Sequence, residues 1–222
     1  SLREGEILIR SRKSLISPGT EKLLKEFGKA NLINKAKKNP DKVKEVLSKL
    51  KNDGFLSTFE AVNSKLNNPF PLGYCNVGVV EEIGKGTKGF KVGDRVVSNG
   101  YHAEFVSVPM NLCAKVPESV SDDSAVFTVL GAIGLQGVRL IKPTFGEIFV
   151  VSGLGIIGLI TAQILRSNGC KVIGYDIDDS KVDIAKKKGI DAFNPLRGND
   201  PVRYVISKTN EIGADAVLIT AS

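Results

Sequence analysis

Residues 150–158 read V-V-S-G-L-G-I-I-G, and they indicate the fold class more strongly than any other stretch of the chain. An apolar run, 148–151, enters this glycine-rich turn, and apolar residues then recur at helical spacing as far as Leu165. A second apolar run, 171–175, ends on Asp176, 23 residues after the first glycine. Strand, turn, helix, strand and acid in this order are typical of a unit that binds a dinucleotide.

Each glycine of the turn has a predicted role. Gly153 permits a tight turn, Gly155 lets the backbone approach the pyrophosphate, and Gly158 lets the helix pack closely on the strand. The helix N-terminus then offers unpaired N–H groups to the phosphates. A glycine-rich turn without a ligand is the alternative for this motif alone. The predicted cofactor-binding residues are Gly153, Leu154, Gly155, Ile156, Ile157, Gly158, Asp176, Ile177 and Lys181.

Asp176 favours NAD(H) over NADP(H). A carboxylate accepts hydrogen bonds from ribose hydroxyls and repels a 2′-phosphate. No arginine follows closely, since the next residues are Ile177, Asp178 and Asp179. Lys181 either reaches the adenosine ribose or lies on the helix surface, and the sequence leaves both interpretations open.

Composition predicts an ordinary globular protein. Of the 222 residues, 42% are hydrophobic and 25% are charged. No run approaches the roughly 18 apolar residues of a membrane span, and no secretory signal opens the chain. Three scattered cysteines suit a reducing cytoplasm better than a disulfide framework. We therefore expect a cytoplasmic protein with no membrane partner.

The net charge of +7 does not indicate nucleic-acid binding. Residues 21–65 hold 11 lysines and six acidic residues, so this segment alone supplies +5. The lysines alternate with acidic and apolar residues at helical spacing, and few aromatic residues lie between them. A solvated helical surface is the preferred interpretation.

Regular patterns divide the chain. A strand is predicted over 6–10, helices over 21–66, short β-rich runs over 72–120 and helix again over 121–140. The dinucleotide unit follows, with strands at 147–152, 171–176, 191–193 and 216–220 and helices at 156–167, 179–188 and about 200–211. A doubly wound dinucleotide fold has six strands and only four are predicted, so we expect the 222 residues to be part of a longer protein.

Several motifs resemble the medium-chain dehydrogenase/reductases. P-L-G-Y-C-N-V-G-V-V-E-E-I-G (71–84), F-K-V-G-D-R-V (90–96) and H-A-E-F-V (102–106) are similar to the catalytic domain of this superfamily. V-S-G-L-G-I-I-G (151–158) and G-Y-D-I-D-D-S-K (174–181) are similar to its coenzyme domain. The resemblance implies an α/β protein. A GroES-like β-barrel domain would span 1–130, with a helical insertion at 21–68, and an incomplete Rossmann doubly wound parallel sheet would span 131–222.

Many members of that superfamily hold a catalytic zinc ion, and the resemblance implies that this chain does not. By alignment, the three ligand positions carry Pro18, Tyr74 and Thr128, and Cys75 stands where a glutamate follows the zinc-binding histidine. Proline has no donor atom for zinc, and tyrosine and threonine are poor ligands. The four-cysteine structural zinc loop is also absent, so we expect a zinc-independent protein with no metal site.

Two hydroxyls are the candidate catalytic groups. Thr20 matches the family hydroxyl that begins a proton relay, and Tyr74 places a phenol where the zinc-binding histidine would be. Either could donate a hydrogen bond to the substrate oxygen, although Tyr74 could instead fill the space left by the metal. For His102, the only histidine, a structural or rim role is preferred. Glu21 and Cys75 are interpreted as a helix cap and an inert buried filler.

The predicted function is that of an NAD(H)-dependent, zinc-independent oxidoreductase that interconverts an alcohol and a carbonyl. The turn S-P-G-T-E (17–21), the lysine-rich segment and P-L-G-Y resemble a subgroup of bacterial bi-domain oxidoreductases. That resemblance implies a sugar or polyol as the small-molecule substrate and a fused second oxidoreductase domain, and we expect a homo-oligomer. The alternatives are a quinone or enone reductase of the same superfamily and a non-catalytic NAD(H)-binding regulatory module.

Overall fold

The structure is a computed structural model that describes residues 2–19, 21 and 71–221. It divides into two compact units, Ser1–Val126 and Phe127–Ser222. The division lies four residues before the predicted domain boundary at 130. The predicted helical insertion at 21–68, apart from Glu21, and the candidate residue Thr20 lie outside the described residues.

The first unit is built on an antiparallel sheet. Its strands are β1 (Glu6–Ser14), β2 (Asn76–Ile83), β3 (Arg95–Ser98), β4 (Phe105–Pro109) and β5 (Cys113–Lys115). Within the described ranges the strand order is β4-β1-β2-β3-β5, and every neighbouring pair is antiparallel. A 3-10 turn (Met110–Leu112) precedes β5, and helix α1 (Asp122–Ala125) follows it.

β-Branched side chains fill the centre of this unit. They alternate along the strands, as in β4, where Val106 and Val108 are buried and their neighbours are exposed. Such side chains fit a pleated, half-buried surface. The cluster consists of Ile7, Ile9, Val80, Val96, Val106 and Val108.

One end of the sheet is polar. Strand β1 extends past the predicted Glu6–Arg10 to Ser14, because its polar second half pairs with β2. Ser14 lies opposite Asn76, and Asn76 lies opposite Ser98 on β3. The register of three strands therefore gathers polar side chains where β1 and β3 end and β2 begins.

The second unit has the parallel sheet predicted for a dinucleotide-binding domain. Its strands are β6 (Ile148–Ser152), β7 (Lys171–Tyr175), β8 (Asp191–Phe193) and β9 (Ala216–Ile219). Its helices are α2 (Thr128–Ile141), α3 (Ile156–Ser167), α4 (Asp179–Lys187) and α5 (Pro201–Lys208), with a 3-10 turn at Pro195–Arg197. In the described part of the chain the strand order is β8-β7-β6-β9, and all pairs are parallel.

The predicted strands and helices from residue 147 onward agree with the structure within a residue or two, except at the end of α5. The helix predicted over 121–140 is divided instead into α1 (Asp122–Ala125) and α2 (Thr128–Ile141). Helix α3 spans the predicted 156–167. Helix α5 ends at Lys208 instead of residue 211, because Asn210 and Glu211 have φ values of 52° and 64°. Left-handed backbone cannot continue a right-handed helix.

The helix starts of this unit differ in how they are capped. The Asp178 carboxylate accepts a hydrogen bond from Ser180 N at the start of α4, and Asp200 accepts one from Arg203 N at the start of α5. Helix α3 begins at Gly155, which has no side chain to cap it. The first N–H groups of α3 are therefore left for another acceptor.

No helix in the described ranges is both long enough and apolar enough to cross a membrane.

Candidate functional site

The glycine-rich turn between β6 and α3 is tight because Gly153 adopts left-handed backbone. Its φ is +91°, and its N–H donates to Tyr175 O at 2.8 Å. A Cβ at this position would lie 2.7 Å from Ala221 N. Only glycine fits both the conformation and the space, which is the structural role predicted for this residue.

Gly158 brings α3 against the end of β6. A Cβ on Gly158 would overlap the carbonyl oxygen of Gly153 and lie 2.7 Å from Thr220 Oγ1. The Thr220 hydroxyl donates to Gly153 O at 2.8 Å and to Ser152 O at 3.1 Å. Thr220 therefore holds the turn by a hydrogen bond from the end of β9. Sequence reasoning did not select this residue. Its position directly after a strand of the parallel sheet was the only available signal.

Gly155 is different, because the space in front of it is open. Within the part of the chain that the structure describes, a Cβ added there has no heavy atom within 4 Å, and the backbone φ of −68° suits any residue. Nothing in the packing of the turn requires glycine here. Glycine would be required at this position if the backbone had to remain accessible to a ligand. The uncapped start of α3 lies at this residue.

Leu154, Ile156 and Ile157 complete the turn. Leu154 is fully buried, and its side chain contacts the region of Gly174, so only its backbone is available to a ligand. Ile156 and Ile157 are partly exposed in the first turn of α3. Their backbone N–H groups are among those that have no acceptor within the helix.

Asp176 lies directly after β7 and is 7% exposed. Its Oδ2 accepts from Leu154 N at 2.8 Å, and its Oδ1 accepts from Asp178 N at 3.0 Å. The carboxylate is thus oriented against the glycine-rich turn by two backbone donors. Each carboxylate oxygen retains a further lone pair for a hydroxyl group.

The two other predicted cofactor residues flank this carboxylate. Lys181 Nζ lies 3.5 Å from Asp176 Oδ2, so the lysine turns toward the acid from the first turns of α4. Ile177 is 67% exposed, so most of its apolar side chain is open to solvent beside the acid. The structure therefore brings Lys181, Asp176 and Ile177 together at one edge of the sheet.

A second polar group beside Asp176 was missed by sequence reasoning. The Asn194 amide, directly after β8, donates to Ile177 O at 3.0 Å and to Asp179 Oδ1 at 2.6 Å. Arg197 forms an ion pair with Asp179. Hydrogen bonds from Arg197 and Asn194 hold the pKa of Asp179 below its ordinary 3.8. The position of Asn194 at a strand end was the signal available.

In the first unit, Tyr74 and Cys75 precede β2. Tyr74 is partly buried and Cys75 is fully buried, as expected for a small filler residue. Pro18 is helical, in the segment after β1, whereas Thr128 is the first residue of α2 in the second unit. Among the described residues, no group of three His, Cys, Asp or Glu side chains could hold a metal ion.

His102 has one side-chain partner at the end of β1 and another on the segment after it. Its Nδ1 lies 2.8 Å from Ser14 Oγ, and its Nε2 lies 3.2 Å from Glu21 Oε1. Glu21 Oε1 also accepts from Ser17 N at 2.8 Å, so the carboxylate reaches back toward β1. The sequence predicts Glu21 as a cap of the helix that follows it. The hydrogen bond between residues 21 and 102 was not predicted, since 81 residues separate them.

Two family models match the chain. One, described as alcohol dehydrogenase GroES-like domain, matches residues 52–152, and the other, described as zinc-binding dehydrogenase, matches residues 157–222. A curated relative, an alcohol dehydrogenase of Moraxella sp. (strain TAE123), is 27% identical over 236 residues, which cover 90% of this chain and 69% of the relative.

Solved structures have the same fold. Alcohol dehydrogenase TADH from Thermus sp. ATN1 matches with a TM-score of 0.76 at 20% identity, over 100% of this chain and 65% of its own. A quinone oxidoreductase of Pseudomonas syringae pv. Tomato DC3000 matches with a TM-score of 0.65 at 21% identity, over 98% and 58%. The chain thus spans less than two thirds of either solved protein.

These matches confirm the predicted fold class, a GroES-like domain joined to a Rossmann-type domain. The chain belongs to the medium-chain dehydrogenase/reductase superfamily.

Proposed function

We propose that this chain is the NAD(H)-binding and catalytic part of a zinc-independent oxidoreductase that interconverts an alcohol and a carbonyl. Sugars and polyols are the proposed substrate class. The observation that carries the proposal is the open backbone at Gly155 beside the oriented carboxylate of Asp176. The N–H groups of the turn would be donors for a pyrophosphate, and the carboxylate of Asp176 would be an acceptor for ribose hydroxyls. Both lie within one unit.

The cofactor would be held mainly by backbone groups. The N–H groups from Gly155 to Gly158 belong to the uncapped start of α3 and would bind the pyrophosphate oxygens. Asp176 would accept the adenosine ribose hydroxyls, and Lys181 would donate to one of them. The exposed side chain of Ile177 would cover one face of the adenine. When bound, the nicotinamide accepts or supplies the hydride.

Asp176 supports NAD(H) instead of NADP(H). Two like charges about 5 Å apart at an effective dielectric constant of ~20 repel each other by about 3 kcal/mol. A repulsion of this size corresponds to a preference for the unphosphorylated cofactor of about 100-fold. The ammonium group of Lys181, 3.5 Å from the carboxylate, offsets part of that repulsion.

The donor set at the aligned metal positions does not fit zinc. Pro18 offers no side-chain donor, and the hydroxyls of Tyr74 and Thr128 are poor zinc ligands. We therefore assign polarisation of the substrate oxygen to the hydroxyls of Tyr74 and Thr20. Each would donate a hydrogen bond to the oxygen on which negative charge develops. Filling of the vacated metal space is the competing role for Tyr74.

Cofactor preference tests the first part of the proposal. Binding of NADH and NADPH to the full-length protein is measured by fluorescence, for wild type and for Asp176→Asn. We expect NADH to bind about 100-fold tighter to wild type and the ratio to shrink toward unity in the variant. Asp183→Asn, on the exposed face of α4, is the matched control because it removes the same charge elsewhere. A wild-type preference for NADPH contradicts the assignment.

Turnover tests the second part. The metal-depleted protein is assayed with NADH against aldehydes, ketones and ketoses, and with NAD⁺ against alcohols and polyols. We expect activity that EDTA does not remove and that Tyr74→Phe lowers by at least about tenfold. Activity restored only by zinc contradicts the metal-free mechanism, and unchanged turnover in Tyr74→Phe removes that residue from it.

Two other functions predict different results in the same assays. NADH binding without turnover on any carbonyl favours a regulatory module. Preferential reduction of quinones and enones favours a quinone reductase, an activity named for the Pseudomonas syringae structural neighbour.

A further inference from the structure

Ser14, His102 and Glu21 form a continuous chain of hydrogen bonds at the polar end of the first unit. The imidazole bridges the hydroxyl of Ser14, 2.8 Å from Nδ1, and the carboxylate of Glu21, 3.2 Å from Nε2. These three groups come from the end of β1, the turn after it and the loop before β4. The sheet, which pairs β1 with β4, brings them together.

The chain of groups runs from solvent toward the interior. Ser14 is exposed, the His102 side chain is 24% exposed, and the Glu21 side chain is 12% exposed. An ionised carboxylate can only accept hydrogen bonds, so Nε2 carries the imidazole hydrogen. Nδ1 is then an acceptor, and the Ser14 hydroxyl donates to it. We assign this tautomer from the partners.

Three further contacts hold this series of hydrogen-bonded side chains in place. Ser17 N donates to Glu21 Oε1 at 2.8 Å, and His102 N donates to Leu72 O at 2.8 Å. The imidazole lies on the backbone of Gly73, whose φ is +91°, and a Cβ there would lie 2.7 Å from His102 Cγ. Gly73 directly precedes Tyr74 in sequence, and Glu21 directly follows Thr20. Glu21, the inner end of the hydrogen-bonded series, is thus next in sequence to Thr20, and His102 lies against the residue that precedes Tyr74.

We propose that Ser14, His102 and Glu21 transfer the proton of the reaction between solvent and the substrate oxygen. This inference rests on the proposed function, because it supplies the proton that accompanies hydride transfer. It gives positioning and proton-transfer roles to three residues outside the cofactor site.

In carbonyl reduction the carbonyl carbon would take up a hydride, which a bound reduced nicotinamide would supply, and the oxygen would take up one proton. The Ser14 O–H bond breaks as an Nδ1–H bond forms, and the Nε2–H bond breaks as a Glu21 O–H bond forms. Solvent water reprotonates Ser14, and proton exchange of the imidazole with solvent returns His102 to the Nε2–H tautomer before the next turnover. The proton on Glu21 passes to the substrate oxygen through an intervening hydroxyl. Alcohol oxidation follows the same steps in reverse, from the opposite imidazole tautomer.

The first experiment measures turnover of the full-length protein with NADH and a carbonyl that the wild type reduces. His102→Gln keeps a donor and an acceptor but cannot relay a proton. We expect kcat to fall by at least about tenfold with KM nearly unchanged. For His102→Ala, free imidazole should restore part of the lost rate, and Ser14→Ala should also lower kcat.

Ser107→Ala is the matched control. The Ser107 hydroxyl also lies on the first unit and donates to a carboxylate, Glu6 Oε2, at 2.9 Å, but it has no contact with His102. We expect this variant to keep wild-type kcat. A His102→Gln enzyme within twofold of wild type, or a His102→Ala enzyme that imidazole does not restore, overturns the proposal.

A second experiment needs no turnover. The full-length protein is labelled with ¹⁵N-histidine, and the His102 signal is assigned by its loss in His102→Gln. We expect the Nε2–H tautomer, with an Nδ1 shift that changes in Ser14→Ala. A mixture of tautomers, or an Nδ1–H tautomer, contradicts the proposed proton transfer but leaves the proposed function untouched. Absence of turnover with this tautomer intact counts against the proposed function.

Discussion

Alanine at Gly158 and alanine at Gly155 should have opposite consequences, although the two glycines belong to one turn. At residue 158 the added Cβ overlaps the Gly153 carbonyl oxygen and lies 2.7 Å from Thr220 Oγ1. A backbone carbonyl cannot rotate away, so α3 has to move. Overpacking of this kind costs about 1–3 kcal/mol, and the higher helix propensity of alanine returns at most about 1 kcal/mol. We expect Gly158→Ala to lower the free energy of unfolding by about 2 kcal/mol.

At residue 155 the added methyl group meets no atom within 4 Å, and the backbone φ of −68° is ordinary. We expect the free energy of unfolding of Gly155→Ala to stay within about 0.5 kcal/mol of wild type. The methyl group would, however, occupy the space through which a pyrophosphate reaches the start of α3. We therefore expect NADH affinity to fall at least about tenfold, which corresponds to about 1.4 kcal/mol.

Both variants are measured in the full-length protein, by urea unfolding followed by circular dichroism and by NADH fluorescence titration. NADH binding by Gly155→Ala with wild-type affinity would refute the pyrophosphate position. Wild-type stability of Gly158→Ala would refute the packing argument. The two measurements are independent, so a general loss of folding cannot be mistaken for a lost binding site.

Three further predictions concern stability and thiol reactivity. Thr161 is buried, and its hydroxyl has no hydrogen-bond partner among the described residues, whereas buried Thr209 donates to Val205 O at 2.8 Å. In urea unfolding, Thr161→Val should therefore be more stable than wild type by up to about 1 kcal/mol, and Thr209→Val should be less stable by about 1–3 kcal/mol. A change of the same sign in the free energy of unfolding of both variants would contradict this. Gly131→Ala, in α2 with open space around the added Cβ, should stabilise by about 0.5–1 kcal/mol, and a destabilised variant would show that the space is filled. Burial raises the pKa of the Cys113 thiol from 9.0 to about 11. Its alkylation by iodoacetamide should therefore keep accelerating with pH beyond the value at which an ordinary thiol levels off. An alkylation rate of Cys113, followed by peptide mass spectrometry, that stops rising near pH 9 would contradict this.

The dinucleotide unit could be predicted nearly residue by residue because its signals are local. Helix α3 begins after Gly155 and ends at Ser167, as the apolar spacing indicates. The left-handed Gly153 and the close approach at Gly158 are requirements of a short turn, so they appear in the sequence as glycines. The end of α5 was wrong by three residues, since nothing in the sequence shows that Asn210 adopts left-handed backbone.

Contacts between distant segments were not predictable in the same way. Asn194 and Arg197 bind Asp179 because parallel pairing places β8 beside β7. The second half of β1 carries no apolar alternation, and its extent depends on pairing with β2. A pattern of side chains along one segment contains no information about which segment lies opposite.

The amino-acid sequence alone was enough to predict the glycine-rich turn and the acid at residue 176, because each reflects what a few neighbouring residues require of the backbone. The superfamily was indicated by the resemblance of several motifs. The environment of His102 depended on the folded chain. Its partners lie 88 and 81 residues away, at Ser14 and Glu21. The pairing of β1 with β4 makes them neighbours, and the register of a sheet is a property of two strands together.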